Sequence, residues 1–258
     1  MTLEILQRLD DAIAPAVPPT TIPPVLSRNT NYGNMDGQEL YEESVSRALD
    51  ELNSKSSPLE KVVLARKQTM VLGLPTFSSR QVLQKWKYGG NEGGHSFYLR
   101  PQGSTREFFG CTPERLFSVT SDRLQSEALA GTRPRGSTQQ ADAQLLQDLM
   151  DDPKERMENR LTAGYIEESF QALQDQGLIE WTQPDDGSFF VRRLLHLQHI
   201  CQSYAASVKA PVSQVAREML QRLHPTPAVC GLPFKESRNF IRQYESIGFD
   251  RGWYAGPL

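Results

Sequence analysis

Apolar and polar positions along the chain change period repeatedly, from a helical repeat of about 3.6 to a strand repeat of about 2, so helices and strands are expected to be intermixed. The first firm block, DGQELYEESVSRALDELNS, puts Leu40, Val45, Ala48, Leu49 and Leu52 on one helical face. KVVLARKQTMVL comes next, rich in β-branched residues and free of breakers, and predicts one buried strand. HSFYLRP, REFFGCTPERLFSVT and RLQSEALAGT predict further strands separated by turn-forming residues. A helical tract then runs from about Gln139 to Gln174, with Pro153 as a break or as the first turn of a second helix. SFFVRRLLHLQHICQSYAASV returns to strand, and PVSQVAREMLQRL and KESRNFIRQYESI predict two more helices. Strands clustered before the long helix and returning after it favour an α+β fold with antiparallel sheet over a regular βαβ alternation.

Upstream of this pattern the composition changes. Residues 1–36 carry Pro15, Pro18, Pro19, Pro23 and Pro24 and read as a mostly extended lead-in, leaving 37–258 as one domain. The 258 residues are enough for a sizeable core. A net charge of −3 with mixed signs excludes a bulk electrostatic case for nucleic acid or a membrane surface. No run approaches the roughly 20 apolar residues of a membrane span. Three widely spaced cysteines, Cys111, Cys201 and Cys230, argue for a reducing compartment and against a disulfide framework. The compartment expected is the cytoplasm, or a plastid if a targeting segment lies upstream.

Candidate chemistry is spread along the domain. Lys61 opens the KVVLAR strand and could serve as a base if burial or a neighbouring cation depressed its proton affinity; it reads equally as a solvated lysine at a strand edge. Glu114 in GCTPERLF lies between two strand runs, where burial would raise a carboxyl into general-acid range; the other reading is a turn glutamate paired with Arg115. In EALAGTRPRGS, Gly131 and Thr132 offer backbone N–H groups and a hydroxyl, and Arg133 and Arg135 offer forks for an anion; a solvated basic loop fits too. Glu155 and Glu158 stand one helical turn apart and could give a carboxylate to Mg²⁺, or form a charged helix face. His196 and His199 lack the partners of a zinc site, so a single histidine bonded to substrate is the better functional reading. LHPTPAVCGLP, with three prolines and a glycine, predicts a rigid loop fit to line a pocket.

Taken in order, KVVLAR, TPERL, LAGTRPRG, KERMEN, LHPTPAVCGLP and FDRGWYAGP resemble the successive signatures of the chorismate-utilising enzymes, over roughly residues 37–258. The resemblance implies an α+β fold of two large packed antiparallel sheets with flanking helices, chorismate as substrate and Mg²⁺ as cofactor. By the same resemblance Lys61 is the base that activates water for attack at C2 of the ring, and Glu114 the acid that protonates the departing C4 hydroxyl. Glu158 matches a Mg²⁺ carboxylate, His196 and Ala228 match pocket positions, and Gly131 and Thr132 match the turn beside the substrate. A lysine at position 61 implies water rather than ammonia as nucleophile. HPTPAVCGLP and FDRGWYAG are most similar to the isochorismate synthases of menaquinone and phylloquinone biosynthesis.

In that family GWYAGP is followed by a further strand, a Gly-Ala-Gly turn and a helix with more metal-binding carboxylates. The resemblance therefore implies a fold incomplete at its C-terminus and a chain expected to be inactive by itself, as a fragment or as a module completed by another segment or by fused quinone-pathway domains. Salicylate synthase, another chorismate-utilising activity, or a non-catalytic remnant are the alternatives.

Overall fold

The computed structural model describes residues 24–33, 35–73, 78–88, 94–183 and 189–257. In chain order the elements are strand β1 (Val25–Asn29), helix α1 (Gly37–Asn53), strands β2 (Lys61–Val62) and β3 (Thr69–Leu72), and helix α2 (Ser79–Tyr88). Strands β4 (His95–Leu99), β5 (Phe108–Thr112), β6 (Ser118–Val119) and β7 (Arg123–Pro134) follow, then helices α3 (Gln139–Asp151) and α4 (Pro153–Asp175). Strands β8 (Ile179–Trp181), β9 (Phe189–Arg193) and β10 (Leu197–Val208), helix α5 (Val212–Leu223), strand β11 (Gly231–Leu232) and helix α6 (Phe234–Phe240) complete the order, and one π-helical turn, Ile241–Glu245, continues α6.

The fold is α+β and every strand pairing described is antiparallel, as the sequence pattern predicts. The chain divides into two compact units. The smaller holds residues 1–29 and 69–113, in which β1 pairs with β3 and β4 with β5. Of the expected lead-in, residues 1–23 lie outside the described residues, and Val25–Asn29 is extended as the paired strand β1.

The larger unit, residues 30–68 and 114–258, is built on a five-stranded sheet in the order β6-β7-β10-β8, with β9 also pairing β10. Its centre is the β7–β10 pair, two 12-residue strands buried through most of their length. Helices α4 and α5 cover the sheet, bringing Ile166, Phe170, Leu173, Val215, Met219 and Leu223 against Leu124, Ala128 and Tyr204. Phe170 packs edge-on to Trp181 with centroids 5.5 Å apart, which anchors α4 to β8. The break inside the helical tract is where Pro153 predicts it. Asp152 caps α4 by accepting from the N–H groups of Lys154 at 2.8 Å and Glu155 at 3.2 Å, and Pro153 fills the first turn, where no N–H is needed.

Two expectations are corrected here. KVVLARKQTMVL is not one strand: it forms β2, an irregular stretch, and the largely exposed β3, which belongs to the other unit. The cause is visible in the backbone bonds. The Val63 N–H donates to the Cys230 carbonyl at 2.8 Å and the Ala65 N–H to Glu245 Oε2 at 2.6 Å, so the chain leaves the ladder for side-chain and loop partners. On α1 the buried strip is Gly37, Ser44 and Ala48, while Leu49 is 54% and Leu52 37% exposed. Ser44 and Ala48 face the 240–244 segment, where Ser44 Oγ donates to the Tyr244 carbonyl at 3.3 Å; Leu49, one residue and about 100° on, faces away.

The proline-rich loop and FDRGWYAG together fasten β2. Leu232 pairs with Lys61 and Gly231 with Val62. Gly231 has φ +136°, and a Cβ there would stand 2.1 Å from the Lys61 carbonyl oxygen, so only glycine lets the loop pass this close. Arg251 donates from Nη1 to the Val229 carbonyl at 3.0 Å and from Nη2 to the Val63 carbonyl at 2.8 Å, and both its Nε and Nη2 bond to Glu245. Glu245 in turn holds the Ala65 N–H. The pair is thus a buried clamp joining the 229–232 loop to residues 63–65. Arg251→Met strands the Glu245 carboxylate in the interior, and we expect a loss of about 3–5 kcal/mol in chemical denaturation; a loss under 1 kcal/mol would show that the clamp carries little.

Candidate active site

Helix α4 projects Glu155, Glu158 and Asn159 from its first two turns toward the sheet. Asn159 is buried, and its amide donates to the carbonyls of Ala130 at 3.2 Å and Ile200 at 3.1 Å, with a longer contact to Ala128. These are the strand carbonyls flanking a β-bulge, where the β7–β10 register slips between His199 and Cys201. Gly131 sits in this bulge with φ +85°, and a Cβ would meet the Glu155 carbonyl oxygen at 3.1 Å and Ile200 Cδ1 at 3.2 Å. The bulge turns the Thr132 N–H to Glu155 Oε2 at 3.0 Å and its hydroxyl to His199 Nδ1, also at 3.0 Å.

Glu155 is consumed by this architecture. Beyond the Thr132 N–H it accepts from Arg133 at 2.9 Å and Lys154 at 3.2 Å. Burial opposes its charge, but the Thr132 N–H, Arg133 and Lys154 hold its carboxyl below the ordinary range. Glu158, one turn on, is more open at 31% side-chain exposure and meets Lys61 Nζ at 3.2 Å and Lys154 at 3.5 Å. Lys61 is itself only 14% exposed.

Glu114 completes the group. Burial, reinforced by the negative charge of Glu127 and opposed by Lys61, pushes its carboxyl up to about 7, so near neutral pH it still holds a proton. Glu127 is a buried carboxylate gripped by both arms of Arg192 at 2.7 and 2.6 Å, and it accepts the Arg115 N–H at 3.2 Å. Arg192 on β9 and Thr132 on β7 both lie opposite His199 on β10.

Bonds join Lys61 to Glu158, Glu155 through Thr132 to His199, and Arg192 to Glu127, while Arg192 acts electrostatically on His199, and Glu127 and Lys61 on Glu114. Lys61, Glu114, Gly131, Thr132 and Glu158, widely separated in sequence, are thereby brought into one place. Ala228 is half-buried in the loop whose next two residues bond to Arg251 and Val63. His196 is left out. It is exposed in the turn between β9 and β10, where its carbonyl accepts the Arg135 N–H at 2.8 Å.

His199 takes the inward place: it is 7% exposed, burial and Arg192 lower its proton affinity, and its Nε2 has no hydrogen-bond partner among the described residues. The arginines of GTRPRG do not form an anion-binding turn either. Arg133 is held by Asp152 at 2.5 Å and by Glu155, and Arg135 by both oxygens of Asp142 at 2.7 and 2.8 Å, which draws the Asp142 carboxyl down to about 2. They brace the bulge rather than await a ligand. Glu127, Arg192, Asn159 and Arg251 are the residues that motif reading passed over; the Glu of SEALAG, two residues before the Leu-Ala-Gly run, was the available signal for the first.

As a chemical unit the site offers an amine on a rigid strand, a carboxylic acid still protonated near neutrality, a partly open carboxylate and a neutral buried imidazole. That is equipment for acid–base chemistry. Among the described residues no three His, Cys, Asp or Glu side chains are grouped to hold a metal, and no described helix is long and apolar enough to cross a membrane.

Comparison with known proteins bears on this site. The family described as "Chorismate binding enzyme" matches residues 4–258. Isochorismate synthase 2, chloroplastic, of Arabidopsis thaliana is 35% identical over 234 residues, 91% of this chain and 39% of that protein. The salicylate biosynthesis isochorismate synthase of Pseudomonas aeruginosa is 34% identical over 228 residues, 88% of this chain and 44% of that protein. Among solved structures, MenF, the menaquinone-specific isochorismate synthase of Escherichia coli, aligns with TM-score 0.67 and 25% identity over 93% of this chain and 52% of its own. The chain thus spans about two fifths of the length of the curated relatives it matches.

Proposed function

The chain belongs to the chorismate-binding enzyme family, and on that premise we propose that it carries the acid–base half of an isochorismate synthase. The observation that supports this best is a Glu114 carboxyl raised by burial to about 7 within electrostatic reach of Lys61. Isomerisation of chorismate needs that pairing. Lys61, after releasing its own proton to solvent, enters the step as the free amine: a water oxygen bonds to C2 and gives its proton to that amine, the ring double bond shifts, and the C4–O bond breaks. The departing hydroxyl takes the Glu114 proton and leaves as water, so atoms and charge balance. Glu127, two residues before Leu129 and held as an anion by Arg192, adds to burial in keeping the acid protonated until this step.

In this reading Gly131 and Thr132 border the substrate, Ala228 lines the loop side, and His199, rather than His196, donates or accepts toward the substrate through Nε2. Glu158 fits a Mg²⁺ site as one of the one or two carboxylates that such an ion takes, the remaining ligands being water and substrate oxygens. The ion, when bound, would neutralise substrate carboxylate charge. Its plant relatives carry "chloroplastic" in their names, which supports a plastid setting as one of the two expected.

The test is product identity. The chain completed by the further segment that the family resemblance implies, given chorismate, Mg²⁺ and ammonium together, is expected to yield isochorismate, separable by reversed-phase chromatography, while the chain by itself is expected to yield none. An aminated product, or salicylate with pyruvate as the first product formed, would contradict the reading.

A further inference from the structure

Glu127 and Arg192 have no part in the chemical step, yet they are placed where Glu114 is decided. Glu127 is 7% exposed and lies on the central strand β7. One of its oxygens accepts the N–H of Arg115, the residue next to Glu114, and both are held by the Arg192 guanidinium. Its neighbour Ser126 donates to the Leu116 carbonyl at 2.7 Å. Two consecutive side chains of β7 therefore fasten the backbone on the C-terminal side of Glu114. A buried carboxylate answered by a two-armed guanidinium keeps a fixed geometry as well as a fixed charge.

We propose that the Glu127–Arg192 ion pair is a positioning device for Glu114: it anchors the segment that carries the acid, and on top of burial the balance of charge within the pair adjusts how tightly Glu114 holds its proton. The inference rests on reading Glu114 as the acid of the proposed reaction, and it deepens that reading. Among the described residues, the charged groups acting on Glu114 include Glu127 from β7, which favours the proton, and Lys61 from β2, which disfavours it. Arg192 from β9 acts through Glu127, on which burial works against the charge while the Arg192 bonds and the Arg115 N–H sustain it. Neutralising either partner of the pair leaves the other's charge exposed to Glu114, and the two losses have opposite sign.

The experiment follows the Glu114 carboxyl directly by carbon NMR of protein labelled at the glutamate side-chain carbon, with Glu114→Gln identifying the signal. Glu127→Gln, close in shape and still able to accept from Arg115 and Arg192, is expected to lower the Glu114 midpoint by about one pH unit or more. Arg192→Gln is expected to raise it, and Arg192→Lys to restore it to within a few tenths of a unit. No shift in Glu127→Gln, or shifts of the same sign in Glu127→Gln and Arg192→Gln, would overturn the proposal. Should Arg192→Gln fail to fold, the Glu127→Gln and Arg192→Lys arms still decide. The alkaline limb of the pH–rate profile supplies the separate check. Opposite NMR shifts without conversion of chorismate by the completed protein would leave the pair standing and refute the proposed reaction; conversion by it with an unmoved limb and unmoved midpoints would do the reverse.

Discussion

In the chain completed by the further segment its family resemblance implies, Lys61→Ala is expected to lower the rate of isochorismate formation by roughly 10²–10⁴-fold, the usual worth of a positioned general base, while chorismate binding measured by calorimetry changes only a few-fold. Position is the reason. Lys61 is fixed on both sides of its backbone, by the Leu232 pairing and by Ser237 Oγ donating to its carbonyl at 2.8 Å, so its amine is delivered to a set point 3.2 Å from Glu158. Lys61→Arg should not rescue, since a guanidinium remains protonated at any workable pH. Retention of full water addition in Lys61→Ala would refute its assignment as the base.

Glu114→Gln should be comparably severe, removing the proton that turns the C4 hydroxyl into water, and it should abolish an alkaline limb near pH 7. It also has a stability signature of definite sign. A carboxyl raised from its ordinary value near 4.5 to about 7 in the folded protein contributes fully at pH below the lower value and is progressively lost as pH rises through the higher. The amide cannot ionise and loses nothing. Measured by denaturation, Glu114→Gln should therefore gain on the parent by on the order of 2 kcal/mol between pH 5 and pH 8. A difference that stays flat across that window would mean Glu114 titrates as an ordinary surface carboxyl.

Much of this site was legible because its parts are backbone-specific. A glycine in LAGT needed for positive φ, a proline opening a helix beside an aspartate cap, and prolines with a glycine shaping a loop all leave a local trace in sequence. What escaped depends on partners far away in the chain. KVVLARKQTMVL has the apolar content of a strand, but Glu245 and the Cys230 carbonyl, more than 160 residues on, take its N–H groups. LLHLQHIC carries no turn residue, so nothing local tells that Leu194–His196 is a hairpin turn and that His199, not His196, points inward. Arg133 and Arg135 look like anion receptors until Asp142, Asp152 and Glu155 are seen to occupy them. The Glu127–Arg192 pair is formed across 65 residues, and no motif announces it.

The central claim is that water, activated beside Lys61, supplies the new C2 hydroxyl. It is tested most directly by letting the completed protein act on chorismate in heavy-oxygen water and reading the isochorismate by mass spectrometry. The account predicts one solvent oxygen in the product, located at C2, at a rate that falls with Lys61→Ala. Product formed without solvent oxygen, its hydroxyl carried over from C4, would contradict it.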